Sequence, residues 1–233
     1  MSNLIAKNLA TNKTSFYDEI PAELKIEGEG EQLLLIRKAV NTKIILSEGV
    51  KATFILFATE GWEGTPKMTF ELAGRNSELQ FLGFIVGTKG LHFNFETISR
   101  HSAPESKGHY YLRAAMFDSS AVDYKGTLVI PKGAQLSDAY LAHHTLLLSD
   151  EARARTIPAL EIEADDIKAG HAATVGKVDK DLMFYLLSRG IEEKEAEQLL
   201  ITGFFETQLR MIPEEETQTI LREALTKTLP AYV

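Results

Sequence analysis

The feature that most constrains this chain is a long succession of short apolar segments, each ended by turn residues, between residues 15 and 160. Six segments have the length and composition of β-strands: 33–36, 42–46, 53–57, 79–86, 91–97 and 128–130. Glycine-containing turns separate them at 48–49, 60–61, 73–74, 88–90 and 131–133. This part of the chain is therefore predicted to be mostly β, and it shows no helical pattern of useful length.

Periodicity alone does not select one β architecture. A sandwich, an antiparallel barrel and a β-solenoid all consist of short strands with frequent turns. The spacing of the segments is uneven, and the hexapeptide period of left-handed β-helices is absent. A sandwich, a barrel and an irregular solenoid therefore remain open at this point.

The last quarter of the chain changes to a helical pattern. Asp179 can cap a helix through Leu182 and Leu187 that Gly190 ends. A second helix is predicted from Glu192 to about Leu209. Its apolar stripe is predicted to consist of Ala196, Leu199, Leu200, Gly203 and Phe204.

Pro213 suits the first turn of a third helix. Its apolar stripe is predicted to be Ile220, Leu221, Ala224 and Leu225. The boundary near residue 178 predicts two parts: a β domain over 1–178 with a short N-terminal segment, and a helical subdomain over 179–233.

Charge and cysteine content exclude several classes of function. The net charge is −8, and an acidic chain is repelled by phosphate backbones, so no nucleic-acid partner is expected. With no cysteine, neither disulfides nor zinc sites built on thiolates can form. No apolar stretch has the 18 or so residues that a membrane span needs, and no secretory signal precedes the β segments. We expect a cytoplasmic protein without a membrane partner.

Three motifs in the second half carry a family resemblance. Residues 164–176 read ADDIKAGHAATVG, 182–191 read LMFYLLSRGI and 195–206 read EAEQLLITGFFE. In this order they resemble the C-terminal core of the SufB/SufD family of iron–sulfur cluster assembly scaffolds. Residues 143–166 and, less specifically, 101–108 support the resemblance, which covers residues 30 to 206.

The resemblance implies a fold and a function. The β domain should be a right-handed parallel β-helix followed by a C-terminal helical subdomain. The protein should be a non-catalytic scaffold that pairs through its β-helix, with a SufB-type subunit or with itself as a homodimer. Its C-terminal helices should dock a SufC-type ABC ATPase. Members of the family carry an N-terminal helical extension, so we expect a core-only, SufD-like version.

His171 is the candidate residue for cluster chemistry. The resemblance matches it to a histidine at the subunit interface implicated in cluster formation, and imidazole can bind iron. Asp165 and Asp166 are the carboxylates that could join it, whereas a structural role for His171 is the alternative. Ala169 stands where SufD-type proteins often have cysteine. The isolated chain is expected to hold no cofactor, and iron or a cluster would be bound transiently in a complex.

Four residues of the second helix are candidates for docking the ATPase: Leu199, Leu200, Phe204 and Phe205. Adjacent helical residues do not face the same contact. One phenylalanine is therefore expected to pack on the protein itself and the other to remain free for a partner.

An enzyme is the alternative class. The chain has no G-x-S-x-G, Walker A or H-E-x-x-H motif. A β-solenoid transferase or a cupin-like metal enzyme would have to use His171, or His143 with His144. In a strand the last two face opposite sides, so they do not readily bind one metal. A homo-oligomeric relative no longer active in cluster assembly is the third possibility.

Overall fold

A computed structural model of the chain describes residues 14–229, except 18–19, 29–30, 37, 39 and 60–63. The expectations for the N-terminal segment before residue 14, and for the turn at 60–61, lie outside these residues. The described part consists of a stack of β-strands followed by three helices.

The strands form two sheets. The first contains, in spatial order, β1 (Thr14–Tyr17), β3 (Glu31–Ile36), β5 (Lys51–Ala58), β7 (Glu78–Gly87), β9 (Lys107–Met116), β11 (Asp138–Leu147) and β13 (Lys168–Gly176). The second contains β2 (Glu23–Ile26), β4 (Thr42–Leu46), β6 (Lys67–Leu72), β8 (His92–His101), β10 (Ala121–Ile130) and β12 (Arg153–Ile162).

The pairing is that of a parallel β-helix. Consecutive strands belong to opposite sheets, and each strand pairs in parallel with the strand two places along the chain, as β7 does with β9 and β8 with β10. Two strands and two turns therefore make one coil, and each coil lies on the one before it. The predicted β-helix with a C-terminal helical part is confirmed.

Apolar side chains of the two inner faces fill the space between the sheets. Register places Phe54, Phe81 and Tyr110 in one row, on three successive coils. Their rings stack at centroid distances of 5.9 and 5.8 Å. Phe70 meets Phe54 and Phe81 edge-on from the opposite sheet. Such rows make the interior continuous from coil to coil.

The first two predicted helices are confirmed. Helix α1 spans Lys180–Ser188, and the Asp179 carboxylate accepts hydrogen bonds from the backbone N–H groups of Asp181 and Leu182. Gly190 follows with a φ of 84°, a left-handed conformation that glycine adopts without strain. Helix α2 spans Glu193–Leu209, one residue from the predicted start.

The third helix begins later than predicted. Helix α3 spans Glu215–Thr228 with Glu214 as its N-terminal cap residue. Pro213 therefore precedes the cap and is not in the first turn, so that part of the prediction is wrong. Because proline disfavours a helical conformation in the residue before it, it separates α3 from the turn that follows α2.

Helices α2 and α3 cover part of the outer face of the first sheet and form a second apolar core. The helical side chains in it include Ile201, Phe205, Leu209, Leu221 and Leu225. They pack on outward-facing sheet residues such as Leu35, Ile55, Phe57 and Phe84, and on Phe117 directly after β9. The stripe predicted for α2 is only partly right. Ala196 is buried and Phe204 packs against this core, whereas Leu199 and Gly203 are exposed. The face of α2 that lies against the sheet is adjacent to the predicted stripe. It carries Ile201, Phe205 and Leu209, which also recur every four residues.

Candidate functional site

His171 lies on β13, the last described strand of the first sheet. It is in register with Leu141, whose side chain is buried inside the β-helix. Residues that are paired in register on neighbouring parallel strands lie on the same face of the sheet. His171 is therefore on the inner face of the first sheet, at the end of the stack. It is exposed because no further described strand covers it. Its imidazole is therefore accessible to another molecule.

The two carboxylates do not join His171. Asp165 and Asp166 precede β13 and are exposed. Lys168, which starts the strand, is already roughly 10 Å from His171, because an extended chain rises about 3.3 Å per residue. In the described part of the chain, no three His, Cys, Asp or Glu side chains are arranged to hold a metal ion.

His143 and His144 face opposite sides of β11, in agreement with the expected alternation. His143 is buried, and its Nε2 is hydrogen-bonded to the Thr145 hydroxyl at 3.0 Å and its Nδ1 to the Thr156 hydroxyl. Burial lowers its pKa to about 3, so the ring is neutral. Because both nitrogens are occupied, His143 has none free to bind a metal as the cupin-like alternative requires.

The end of the β-helix exposes apolar side chains of the inner faces. Leu160 and Ile162 on β12 are in register with the buried Leu128 and Ile130. Val175 on β13 is in register with the buried Thr145. All three are exposed, since they belong to the last described coil. We call Leu160, Ile162 and Val175 the open end.

The four docking candidates on α2 lie in different environments. Phe205 is 1% exposed and packs on Phe84 of the sheet. It is therefore not available to a partner, and we no longer count it among the docking residues. Phe204 is partly buried beneath Arg113, whose guanidinium carbon is 4.7 Å from the ring centroid. Leu200 is half-buried, whereas Leu199 is 49% exposed.

Helix α1 carries an exposed apolar surface that the sequence analysis did not single out. None of its residues is buried. Phe184 is 72% exposed, more than any other large apolar residue of the described chain. We call Leu182, Phe184, Tyr185 and Leu187 the α1 surface. The signal was present in the sequence. The run LMFYLL is apolar on every side of a helix, and packing against a single neighbour cannot bury all of these sides.

None of the helices in the described residues is both long and apolar enough to cross a bilayer.

Comparison with known proteins decides the family. The family profile described as "SUF system FeS cluster assembly, SufBD core domain" matches residues 34–204, more than half of the chain. This chain belongs to the SufB/SufD family. The predicted membership is confirmed, and the match spans strands β4 to β13 as well as α1.

Several curated SufB/SufD proteins are similar to the chain. SufD of Bacillus subtilis, named an iron–sulfur cluster assembly protein, is 38% identical over 131 residues, 56% of this chain and 30% of that protein. A SufBD family protein of Pyrococcus horikoshii is 32% identical over 142 residues, 61% and 31% of the two chains. SufD of Escherichia coli is 29% identical over 161 residues, 69% and 38%. The similarity thus covers less than two-fifths of each of these relatives.

Proposed function

We propose that this chain is a scaffold subunit of the SUF iron–sulfur cluster assembly system, which pairs through its β-helix and docks a SufC-type ABC ATPase through its C-terminal helices. The observation that carries the proposal is the match of the SufBD core domain to residues 34–204. Two of the relatives similar to this chain are named iron–sulfur cluster assembly proteins.

The open end supports pairing through the β-helix. Leucine, isoleucine and valine side chains that would be interior in any earlier coil are exposed there. The edge of β13 also presents backbone N–H and C=O groups to a further strand. A SufB-type subunit or a second copy that covers this end would bury the apolar side chains and pair the edge.

The α1 surface supports docking by the helices. Its four apolar side chains are exposed, and no residue of the helix is fully buried, so a partner can cover them without rearranging the fold. Leu199 on α2 adds a further exposed apolar residue. Asp181, Glu193 and Glu195 are exposed on the first turns of these helices. A partner with an apolar groove and basic residues beside it would fit this combination.

The cluster itself would be cargo held between subunits. The chain has no thiolate, and a single imidazole does not retain an iron–sulfur cluster. His171 can supply one ligand at the open end, where a paired subunit would also lie. The remaining ligands would come from that subunit or from a small thiol.

Co-elution with a SufC-type ATPase tests the docking. We expect the two purified proteins to form a complex in size-exclusion chromatography, and Phe184→Glu to abolish it. Leu136→Glu is the matched control, because Leu136 is also exposed and apolar but lies in a turn of the β-helix. If Phe184→Glu binds as well as the unmodified protein, or if no complex forms at all, the docking proposal is wrong.

A further inference from the structure

A row of alternating charges runs along the outer face of the first sheet. Its members begin successive strands of that sheet and are in register from coil to coil: Lys51, Glu78, Lys107, Asp138 and Lys168. Lys51 Nζ and Lys107 Nζ lie 3.2 and 3.3 Å from the same carboxylate oxygen of Glu78. Opposite charges on neighbouring strands attract, and like charges repel. Lys168 is exposed on β13, the last described strand, so the row ends there on a positive charge.

The two free edges at this end of the stack are half a coil apart. β13 lies beyond β12, and the two strands run in opposite directions because the chain reverses between the sheets. With a two-fold axis perpendicular to the sheets, β13 would meet its own copy, but the two copies of β12 would remain one strand spacing, about 4.8 Å, too far apart to pair. With an axis parallel to the strands, β13 of each copy meets β12 of the other at the same spacing. Both edges then pair, and both pairs are antiparallel.

The backbone limits which residues of the two edges can lie opposite each other. The N–H groups of Arg153 and Lys168, on the outer faces, donate to the preceding coil. Since these groups alternate along a strand, inner-face residues such as Leu160 and Ala169 direct theirs to the free edge. Antiparallel pairing therefore sets inner-face residues opposite inner-face residues, and outer opposite outer. Pro158 has no N–H to offer at this edge, a place where proline is tolerated, so one hydrogen bond is lost there.

The alignment that uses the full length of β13 brings the row of charges to a carboxylate. Glu161 lies on the outer face of β12 and is exposed. In this alignment Lys168 of one copy faces Glu161 of the other, which continues the alternation of the row. The remaining outer-face pairs contain no like charges: Gly170 with Ala159, Ala172 with Ile157, Thr174 with Arg155 and Gly176 with Arg153. The two edges are thus complementary in charge.

We propose that a second copy of this chain covers the open end, with β13 of each copy paired to β12 of the other and Lys168 of each beside Glu161 of the other. The inference rests on the proposed pairing through the β-helix, and it specifies the partner and the register. Leu160, Ile162 and Val175 become interior in this arrangement, as their register partners are in the preceding coil. The ion pair at each edge distinguishes this partner from a subunit that has no carboxylate in that place.

Cysteine cross-linking tests the register, and the chain has no cysteine of its own to interfere. In the proposed arrangement, Gly170 and Ala159 of the two copies have Cα atoms about 4.5 Å apart, within the range that a disulfide spans. Ala159→Cys with Gly170→Cys should therefore give a disulfide-linked dimer on oxidation. Within one copy these positions lie on the outer faces of opposite sheets, about 10 Å apart, and do not link.

Ala159→Cys with Thr174→Cys is the matched control, because Thr174 lies further along the same face of β13. We expect this variant to run as a monomer in non-reducing gel electrophoresis. Equal cross-linking of the two double variants, or none in either, would overturn the register.

Charge reversal tests the ion pair even if a cysteine variant fails to fold. At low ionic strength, Lys168→Glu and Glu161→Lys should each raise the dissociation constant of the homodimer about tenfold, because attraction becomes repulsion at both edges. The variant with both changes should return to within about threefold of the unmodified protein. Lys51→Glu is the control, since Lys51 belongs to the same row but lies far from the open end. Sedimentation velocity measures each constant, and a double variant as weak as the single ones would overturn the ion pair.

The outcomes separate this inference from the function on which it rests. If the chain alone is a monomer but binds a SufB-type subunit, the second copy is wrong and pairing through the β-helix stands. If it forms neither pair, both are wrong. Lys168→Glu should still co-elute with the ATPase as the unmodified protein does, so a failure of docking is detected independently.

Discussion

Arg113 of β9 holds Phe204 of α2 by two contacts. Its Nη1 donates a hydrogen bond to the Phe204 carbonyl, and its guanidinium carbon lies 4.7 Å from the centroid of the Phe204 ring. Close by, Gln208 Nε2 donates to the carbonyl of Gly83 on β7 at 2.8 Å. These polar contacts fix the position of α2 along a surface that is otherwise apolar.

The first prediction concerns this anchor. Arg113→Met keeps the aliphatic part of the side chain but removes the cation–π contact and the hydrogen bond, so it should destabilise the protein by about 1–3 kcal/mol. Urea unfolding at neutral pH measures this. Arg210→Met is the control: Arg210 pairs with Glu206 on an exposed surface, so a loss within about 0.5 kcal/mol is expected. Equal losses in the two variants would contradict the anchoring role.

The second prediction contrasts two phenylalanines. Phe205 is buried between α2 and the first sheet, and Phe184 is mostly exposed on α1. Phe205→Ala should cost about 3–5 kcal/mol, since it leaves a cavity in the second core. Phe184→Ala should change the free energy of unfolding by no more than about 0.5 kcal/mol. A comparable loss at the two positions, measured by urea unfolding, would be inconsistent with the structure.

The third prediction concerns the open end. If pairing uses this end, the protein alone should be a homodimer at roughly tens of micromolar, since most soluble oligomers are symmetric pairs. Val175→Asp places a charge among the exposed inner-face residues and should yield a monomer in multi-angle light scattering. Ile157→Asp is the matched control on the same coil, because Ile157 is also exposed but faces outward from β12. A monomeric unmodified protein would reject homodimer formation.

The fourth prediction concerns acid. Burial holds the pKa of His101 at about 4 and that of His143 at about 3, below the unfolded value of 6.5. Below pH 6.5 the unfolded chain therefore binds more protons than the folded chain. As the pH is lowered from 7 to 5, the free energy of unfolding should fall by about 2 kcal/mol for each histidine. Urea midpoints at pH 7, 6 and 5 measure this. His143→Gln should have a shallower pH dependence; an identical slope would show that His143 does not contribute.

The fifth prediction concerns the cluster. Anaerobic reconstitution of the isolated chain with iron and sulfide should give no stable cluster, because no thiolate is present. With a cysteine-bearing partner or a small thiol, a cluster should form, and His171→Ala should reduce its yield without loosening the pair. Visible absorption and iron counting provide the measurement. A stable cluster on the isolated chain would refute the ligand argument, and an unchanged yield with His171→Ala would leave that residue with a structural role.

Local signals in the sequence predicted some of the individual elements, whereas β9 and β11, for example, were not among the predicted segments. The segment 42–46 coincides with β4, and Asp179 and Gly190 bound α1 as expected, because strand composition and helix capping are local properties. Coil length is not local. Leu33 pairs with Thr53, 20 residues on, whereas Lys107 pairs with Asp138, 31 residues on. With unequal coils there is no period to detect, so the β-helix was predicted from the family resemblance.

The candidate site was less predictable for a related reason. Spacing on α2 permitted two neighbouring apolar stripes, and only the position of the sheet decides that Phe205 is buried while Leu199 is exposed. Asp166 and His171 are near in sequence, but an extended strand begins between them and keeps them apart. Proximity along the chain indicates proximity in space only where the backbone turns back.

The two sheets do not end together. Among the described strands, β13 is the last of the first sheet and β12 the last of the second. The first sheet therefore extends half a coil beyond the second at this end of the stack. A head-to-tail contact through such an end would leave another end free and could grow into a fibre. In a dimer with a two-fold axis, the open end of one copy would instead cover the open end of the other, so neither would remain available. A contact of that kind is self-limiting, and it would protect a stack of parallel strands from becoming a template for its own polymerisation.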